Sequence, residues 1–193
     1  MDPRVARSRA RLQQALVSLA RERALDTITV RDIADRAQLN RSTFYEHYAD
    51  KETLLADALE QAADRVGRPL LSTVRDAPAR TMPLELLAYL SHIRDNADLY
   101  RRVLGAHGSA LVASRLRSHI GAITAQVVEV VSPEEFVELP TDVVGEALGG
   151  TALGVIAAWL RRDPLPPVSV PAEWLRLVIS ATSVPGVLSP SAD

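Results

Sequence analysis

Residues 41–47 read RSTFYEH and are followed by Tyr48. If the run is helical, Phe44 and Tyr48, four apart, share a buried face and leave Arg41, Ser42, Thr43, Tyr45 and His47 facing outward. A solvated helix face is ordinarily filled with Lys, Glu and Gln. A guanidinium fork, two hydroxyls, a phenol and an imidazole instead suit base edges in a major groove and the phosphates beside them, with few carboxylates to repel that backbone. The same spacing also occurs in a helical hairpin buried in an ordinary all-α domain, so these residues alone leave both readings open.

Several elements must hold such a helix. Just ahead of it, Val30, Ile33, Ala34 and Ala37 fall at i, i+3, i+4 and i+7, which places four apolar side chains on one helical face. Thr29 is its N-cap and Asn40 the N-cap of the next helix. Upstream, residues 4–24 are helical in pattern, with Leu12, Ala15, Leu16, Leu19 and Ala20 as a stripe. Arg4, Arg7, Arg9 and Arg11 crowd the front of that helix, where they oppose its dipole; a nearby phosphate backbone would relieve this, as would solvent at a frayed terminus. Leu25 to Ile28 make the connection. Asp50 caps a fourth helix, from Lys51 to about Val66, buried through Leu54, Leu55, Ala58, Leu59 and Ala62. Lys51 lies in its first turn, beside unpaired backbone N–H groups, in the position of a phosphate clamp. Gly67 and Pro69 are expected to end or kink this helix, and residues 76–83 to form a loop.

The 193 residues suffice for one or two domains with a real core, and 47% hydrophobic with 24% charged residues is a globular composition. There is no cysteine, which excludes disulfides, zinc fingers and thiol catalysis. The net charge of −2 conceals an asymmetry: residues 1–51 carry ten Lys and Arg against seven Asp and Glu, and the rest twelve against seventeen. That is a small basic module on an acidic body. No apolar stretch follows the first arginines, so a signal peptide is not expected and the expected location is cytoplasmic.

From Ile28 through TVRDIADRAQLNRSTFYEHYADKETLL to Leu55 the chain resembles the DNA-binding domain of the TetR/AcrR family of bacterial transcriptional regulators. The resemblance rests on the Thr-capped helix with its Ile-Ala pair, the Ser-Thr-Phe-Tyr run followed by His and Tyr, and Asp-Lys-Glu before a double Leu. It spans roughly residues 7 to 60. It implies an all-α fold, with an N-terminal three-helix helix-turn-helix DNA-binding domain over 1–50 and a helical effector-binding and dimerisation domain over 51–183. Residues 184–193 are expected to be a disordered tail. By the same resemblance, Arg41, Ser42, Thr43 and Tyr45 would face bases and nearby phosphates, while Thr29, Arg31, His47 and Lys51 would hold the DNA backbone. Phe44 and Tyr48 would be the internal pair. Glu46 departs in part from the pattern and is expected to face solvent.

The remainder follows the family only in outline. Its residues predict helices over 84–94, over 97–104 and over 110–131, the last with Leu111, Leu116, Ile120, Ile123, Val127 and Val131 inward. Residues 143–160 are the most apolar stretch, long enough for a membrane span, but Glu146 and the amphipathic partners favour a buried helix. Gly145, Gly149, Gly150 and Gly154 give it small surfaces that admit another helix closely. Family resemblance assigns dimerisation to residues 141–162 and 171–182, with Gly150, Leu153, Ile156, Trp159, Leu175 and Ile179 as contacts; the same residues would also serve as monomer core.

No nucleophile elbow, His-Glu-x-x-His pair or phosphate-binding glycine loop is present, so an enzyme is not expected. The four histidines share no metal-ligand spacing, and neither metal nor cofactor is expected. A pocket for a small hydrophobic effector is implied by the resemblance. Met82, Tyr89, His92, Tyr100, His107 and Trp159 are the side chains able to line it, and each equally fits ordinary core packing. The expectation is a cytoplasmic homodimeric repressor on a palindromic double-stranded operator, with no membrane partner. An activator, an orphan regulator without a small ligand, and a helical protein-interaction module are the alternatives.

Overall fold

Asp2 accepts a hydrogen bond from the Arg4 backbone N–H at 2.8 Å and Pro3 opens the first turn, so helix α1 begins at once and runs Pro3–Glu22. The computed structural model describes residues 2–73, 83–105, 108–131 and 139–182. Among these are eight further α-helices and no strand: α2 (Val30–Ala37), α3 (Arg41–His47), α4 (Lys51–Thr73), α5 (Leu84–Asp95), α6 (Ala97–Leu104), α7 (Ala110–Val131), α8 (Thr141–Leu160) and α9 (Ser169–Thr182). The fold is all-α, as expected. A single 3-10 turn, Leu25–Thr27, joins α1 to α2.

The chain divides into two compact units, residues 1–64 with 92–116, and residues 65–91 with 117–193. In the first, the stripes read from the sequence form the core. Leu12, Leu16 and Leu19 of α1, Ile33, Ala34 and Ala37 of α2, Phe44 of α3, Tyr48, and Leu54, Leu55 and Leu59 of α4 are all buried. Each large apolar side chain withdrawn from water contributes about 1.5–3 kcal/mol, which is what holds helices as short as α2 and α3. Ion pairs bind further elements to this unit: Arg36 grips Glu22 through two bonds of 2.7 Å, Arg115 grips Glu60 at 2.6 and 2.8 Å, and Arg102 pairs with Asp26.

In the second unit, α8 packs on α9, and Trp159 is buried with its indole N–H donating to the Pro166 carbonyl at 2.9 Å. Gly145 and Gly149 face α7, where a Cβ on Gly145 would lie 2.6 Å from the Gly121 carbonyl oxygen and one on Gly149 3.0 Å from the Gly121 Cα. Among the described residues α8 alone is long and apolar enough to cross a membrane, with a mean hydropathy of 1.6, and its inward residues pack on α7 and α9.

Two expectations are corrected. Helix α4 does not stop near Val66 but runs through Pro69 to Thr73. Gly67 serves close packing there: a Cβ would meet Ile123 Cγ2 at 2.8 Å. Leu111 is 48% exposed; the inward phase of α7 starts instead at Val112 and Leu116, both fully buried. The loop expected over 76–83 lies outside the described residues except for Pro83, as does the tail.

Candidate nucleic-acid interface

Helix α2 is set by a complete capping box. The Asp32 backbone N–H donates to the Thr29 hydroxyl oxygen at 3.2 Å, and the Asp32 carboxylate accepts from the Thr29 N–H at 2.8 Å. The Thr29 hydroxyl also donates to that carboxylate at 2.7 Å, and Arg23 lies 2.9 Å from it. These Thr29 bonds and the Arg23 guanidinium hold the Asp32 carboxyl at about 2, below its ordinary value.

The turn out of α2 is a Schellman motif. Gln38 takes φ 54° and ψ 45°, its N–H reaches the Asp35 carbonyl, and Leu39 N–H reaches the Ala34 carbonyl at 2.9 Å. Arg11 donates to both the backbone and the side-chain oxygen of Gln38 at 3.3 Å. Asn40 stands at the N-cap of α3 as expected, yet its side chain makes no capping bond.

On α3 the inward and outward sets separate as the sequence indicates. Phe44 is fully buried and Tyr48 is 3% exposed, while Arg41, Ser42, Tyr45 and Glu46 are exposed and Thr43 and His47 half-buried. The polar ends of Arg41, Ser42, Thr43, Tyr45 and His47 make no hydrogen bond to any described residue. The Tyr45 ring stands edge-on to Phe44, centroids 5.3 Å apart, which directs a 53% exposed phenol outward. Such a face offers a guanidinium, hydroxyls and a phenol to a groove without internal competition.

The four residues expected on the DNA backbone differ among themselves. Arg31 is exposed and only loosely paired with Asp35 at 3.6 Å. His47 flanks α3. Thr29 is engaged by its capping box. Lys51 is turned inward: its ammonium donates to the Leu25 carbonyl at 2.7 Å and the Ile28 carbonyl at 2.8 Å, closing the α1–α2 connection onto α4. With two of its three N–H donors so engaged, Lys51 serves as a tie within the protein at the start of α4.

A polar cluster behind α3 joins residues that no spacing in the sequence connects. Asp57 Oδ2 accepts from Arg9 Nη2 at 2.8 Å, from Gln13 Nε2 at 2.6 Å and from the Tyr48 hydroxyl. Arg9 also donates to the Tyr48 oxygen at 3.2 Å, and its guanidinium lies over the Tyr48 ring, 5.5 Å from the centroid. Burial, with the bond to Asp57, pushes the Tyr48 phenol up to about 12. Burial alone would raise the Asp57 carboxyl; the bonds from Tyr48, Arg9 and Gln13 outweigh it and hold that group below its ordinary value.

Of the effector-pocket candidates, His92 and Tyr100 meet in the first unit, rings edge to face at 5.9 Å, with Asn96 donating to the His92 carbonyl at 2.7 Å. Tyr89 and Trp159 are buried in the second unit. Met82 and His107 lie outside the described residues. An open cleft of about 740 Å³ in the first unit runs from Ala20 to Asp26 and from Asp98 to Gly105, and none of the four described candidates lines it. Its guanidiniums at Arg23, Arg101 and Arg102 are each paired with a carboxylate. Among the described residues no group of His, Asp and Glu is gathered for a metal ion.

The interface candidates are redistributed. Leu153, Ile156, Trp159 and Leu175 are at most 7% exposed within the single chain, where they pack as core. Ile179 is half-buried. Gly150 stays open, with nothing within 4 Å of a Cβ placed there, and so does Gly154. With exposed Val143 and Ala147, half-buried Gly150 and exposed Gly154 share one face of α8, and Leu177 and Val178 expose apolar surface on α9.

Residues 13–58 match the family model of bacterial regulatory proteins, tetR family. An uncharacterised HTH-type transcriptional regulator of Bacillus subtilis, YxbF, is 37% identical over 67 residues, 34% of this chain; the match spans 18% of that relative's length. Among solved structures, the Thermus thermophilus FadR repressor of the TetR family, in complex with lauroyl-CoA, superposes with a TM-score of 0.66 at 18% identity, covering 95% of this chain and all of that one. A TetR regulator of Streptococcus agalactiae gives 0.54 at 24% identity, covering 92% and 96%.

Proposed function

We propose that this chain, a transcriptional regulator of the TetR family, acts as a homodimeric repressor in which α3 of each protomer enters a major groove at one half of a palindromic operator. The observation that carries the reading is the outward face of α3: Arg41, Ser42 and Tyr45 are exposed with their polar groups unengaged, on a helix anchored from behind by Phe44 and Tyr48. Arg41 is the group suited to a bidentate base contact, Ser42, Thr43 and Tyr45 to neighbouring bases and phosphates, and Arg31 and His47 to the flanking backbone. Thr29 stands at the N-cap of α2, where its N–H, carbonyl and hydroxyl are engaged within the helix start, and it would meet the DNA backbone only at the rim of the contact. The head comprises residues 1–50 and the effector and dimer functions fall to residues 51–183.

The open stripe of Val143, Ala147, Gly150 and Gly154 with Leu177 and Val178 is the surface we assign to the twin, since small residues permit close helix approach and the apolar area is otherwise left to water. A small hydrophobic effector would release the operator by binding one arrangement of the heads better than another. A protein of the same fold, Thermus thermophilus FadR, holds lauroyl-CoA, whose lauroyl chain is apolar although its CoA moiety is charged. The test is operator affinity of Arg41→Ala: it should fall by about 1–3 kcal/mol, with discrimination relaxed at one base pair. Unchanged affinity and unchanged discrimination would remove Arg41 from the reading face.

A further inference from the structure

Helix α3 has seven residues and no side-chain bond at its N-cap. Its buried residues hold it by apolar packing, which is strong but not directional. Among the described residues, the side-chain hydrogen bonds joining α3 and Tyr48 to other helices all run through the Tyr48 hydroxyl. Tyr48 ends α3, its own N–H bonded to the Phe44 carbonyl at 2.9 Å. Its hydroxyl donates to Asp57 of α4, and the same Asp57 oxygen takes Arg9 and Gln13 of α1. One carboxylate oxygen therefore ties the end of α3 to both α1 and α4.

The cluster is poorly arranged for stability alone. Gln13 is 5% exposed, and its Oε1 is buried with no hydrogen-bond partner among the described residues, because the amide is turned so that its N–H groups serve Asp57 and Tyr48. Partly buried ion pairs are also weak contributors to folding, whereas their direction is well defined.

We infer that Asp57 is a positioning residue for sequence reading: without touching DNA, it fixes through Tyr48 the orientation in which α3 presents Arg41, Ser42, Thr43 and Tyr45. The inference rests on α3 being the reading helix. It separates two kinds of binding. Base contacts are directional and fail when the helix turns by a small angle, while attraction to phosphates is Coulombic and tolerates it.

The full chain is compared with Asp57→Asn and Tyr48→Phe, each kept well below its own melting temperature, on an operator selected from random duplexes and on an unrelated duplex of equal length, across a salt series. Each variant should lose roughly tenfold to a hundredfold in operator affinity, the worth of a good base contact. Affinity for the unrelated duplex and the salt slope should stay as in wild type. The double variant should be no worse than the weaker single one, because both break one link. Tyr48→Phe keeps the ring packing and decides the matter if Asp57→Asn does not fold. Unchanged operator affinity, or parallel loss on both duplexes, overturns the positioning role. A wild-type chain for which no operator is enriched overturns the DNA reading itself, and this inference with it.

Discussion

Thr29 illustrates how one side chain serves the fold and the edge of a binding surface together. Its hydroxyl both accepts from and donates to Asp32, so Thr29→Ala should lower stability by about 1 kcal/mol in urea unfolding, before any DNA is present. The linked carboxylate gives the effect a pH signature. The Asp32 carboxyl is held at about 2 against an ordinary 3.8, so its stabilising contribution is fully present above pH 4 and is lost as pH falls from there toward 2. Acid titration of Asp32→Asn should lack that component, and an identical acid profile would contradict the capping box. Lys51 is tied inward to the carbonyls of Leu25 and Ile28. Lys51→Met should destabilise the fold by roughly 1.5–3 kcal/mol, the range for hydrogen bonds to a charged group, while leaving the salt slope of DNA binding unchanged. A flattened slope would return Lys51 to the phosphates.

The turn between α2 and α3 depends on Gln38 at φ 54°, a conformation that β-branched side chains resist. Gln38→Val should cost about 1–2 kcal/mol and Gln38→Gly much less, measured by thermal unfolding. Helices α2 and α3 were legible in the sequence because caps and apolar spacing are local and agree with each other. The course of α4 past Val66 was not: glycine and proline read as punctuation, whereas Gly67 is there to admit Ile123. The Asp57 cluster left no trace, since Arg9 and Asp57 are 48 residues apart and Gln13 and Tyr48 are 35 apart, and contacts at such separations have no period. Spacing places the Tyr48 ring inside, where it is 3% exposed, but says nothing of where its hydroxyl bonds.

For the whole molecule, the glycines of α8 make the dimer proposal testable. Their spacing showed small surfaces but not which faced inward, because each pair, 145 with 149 and 150 with 154, is four apart. Gly145→Ala would drive a Cβ to 2.6 Å from the Gly121 carbonyl oxygen and should destabilise the fold by about 1–3 kcal/mol. Gly150→Leu meets nothing within 4 Å at its Cβ, so the chain should fold as before while sedimentation shifts from dimer to monomer. A Gly150→Leu dimer as tight as wild type would move the interface elsewhere. The central claim, that the outward face of α3 reads sequence, is tested most directly by selecting double-stranded DNA from a random pool with the full chain. Enrichment of an inverted repeat, its half-sites centred about one helical turn apart or a multiple of it, is the predicted result. A pool with no enriched sequence after repeated rounds would contradict it.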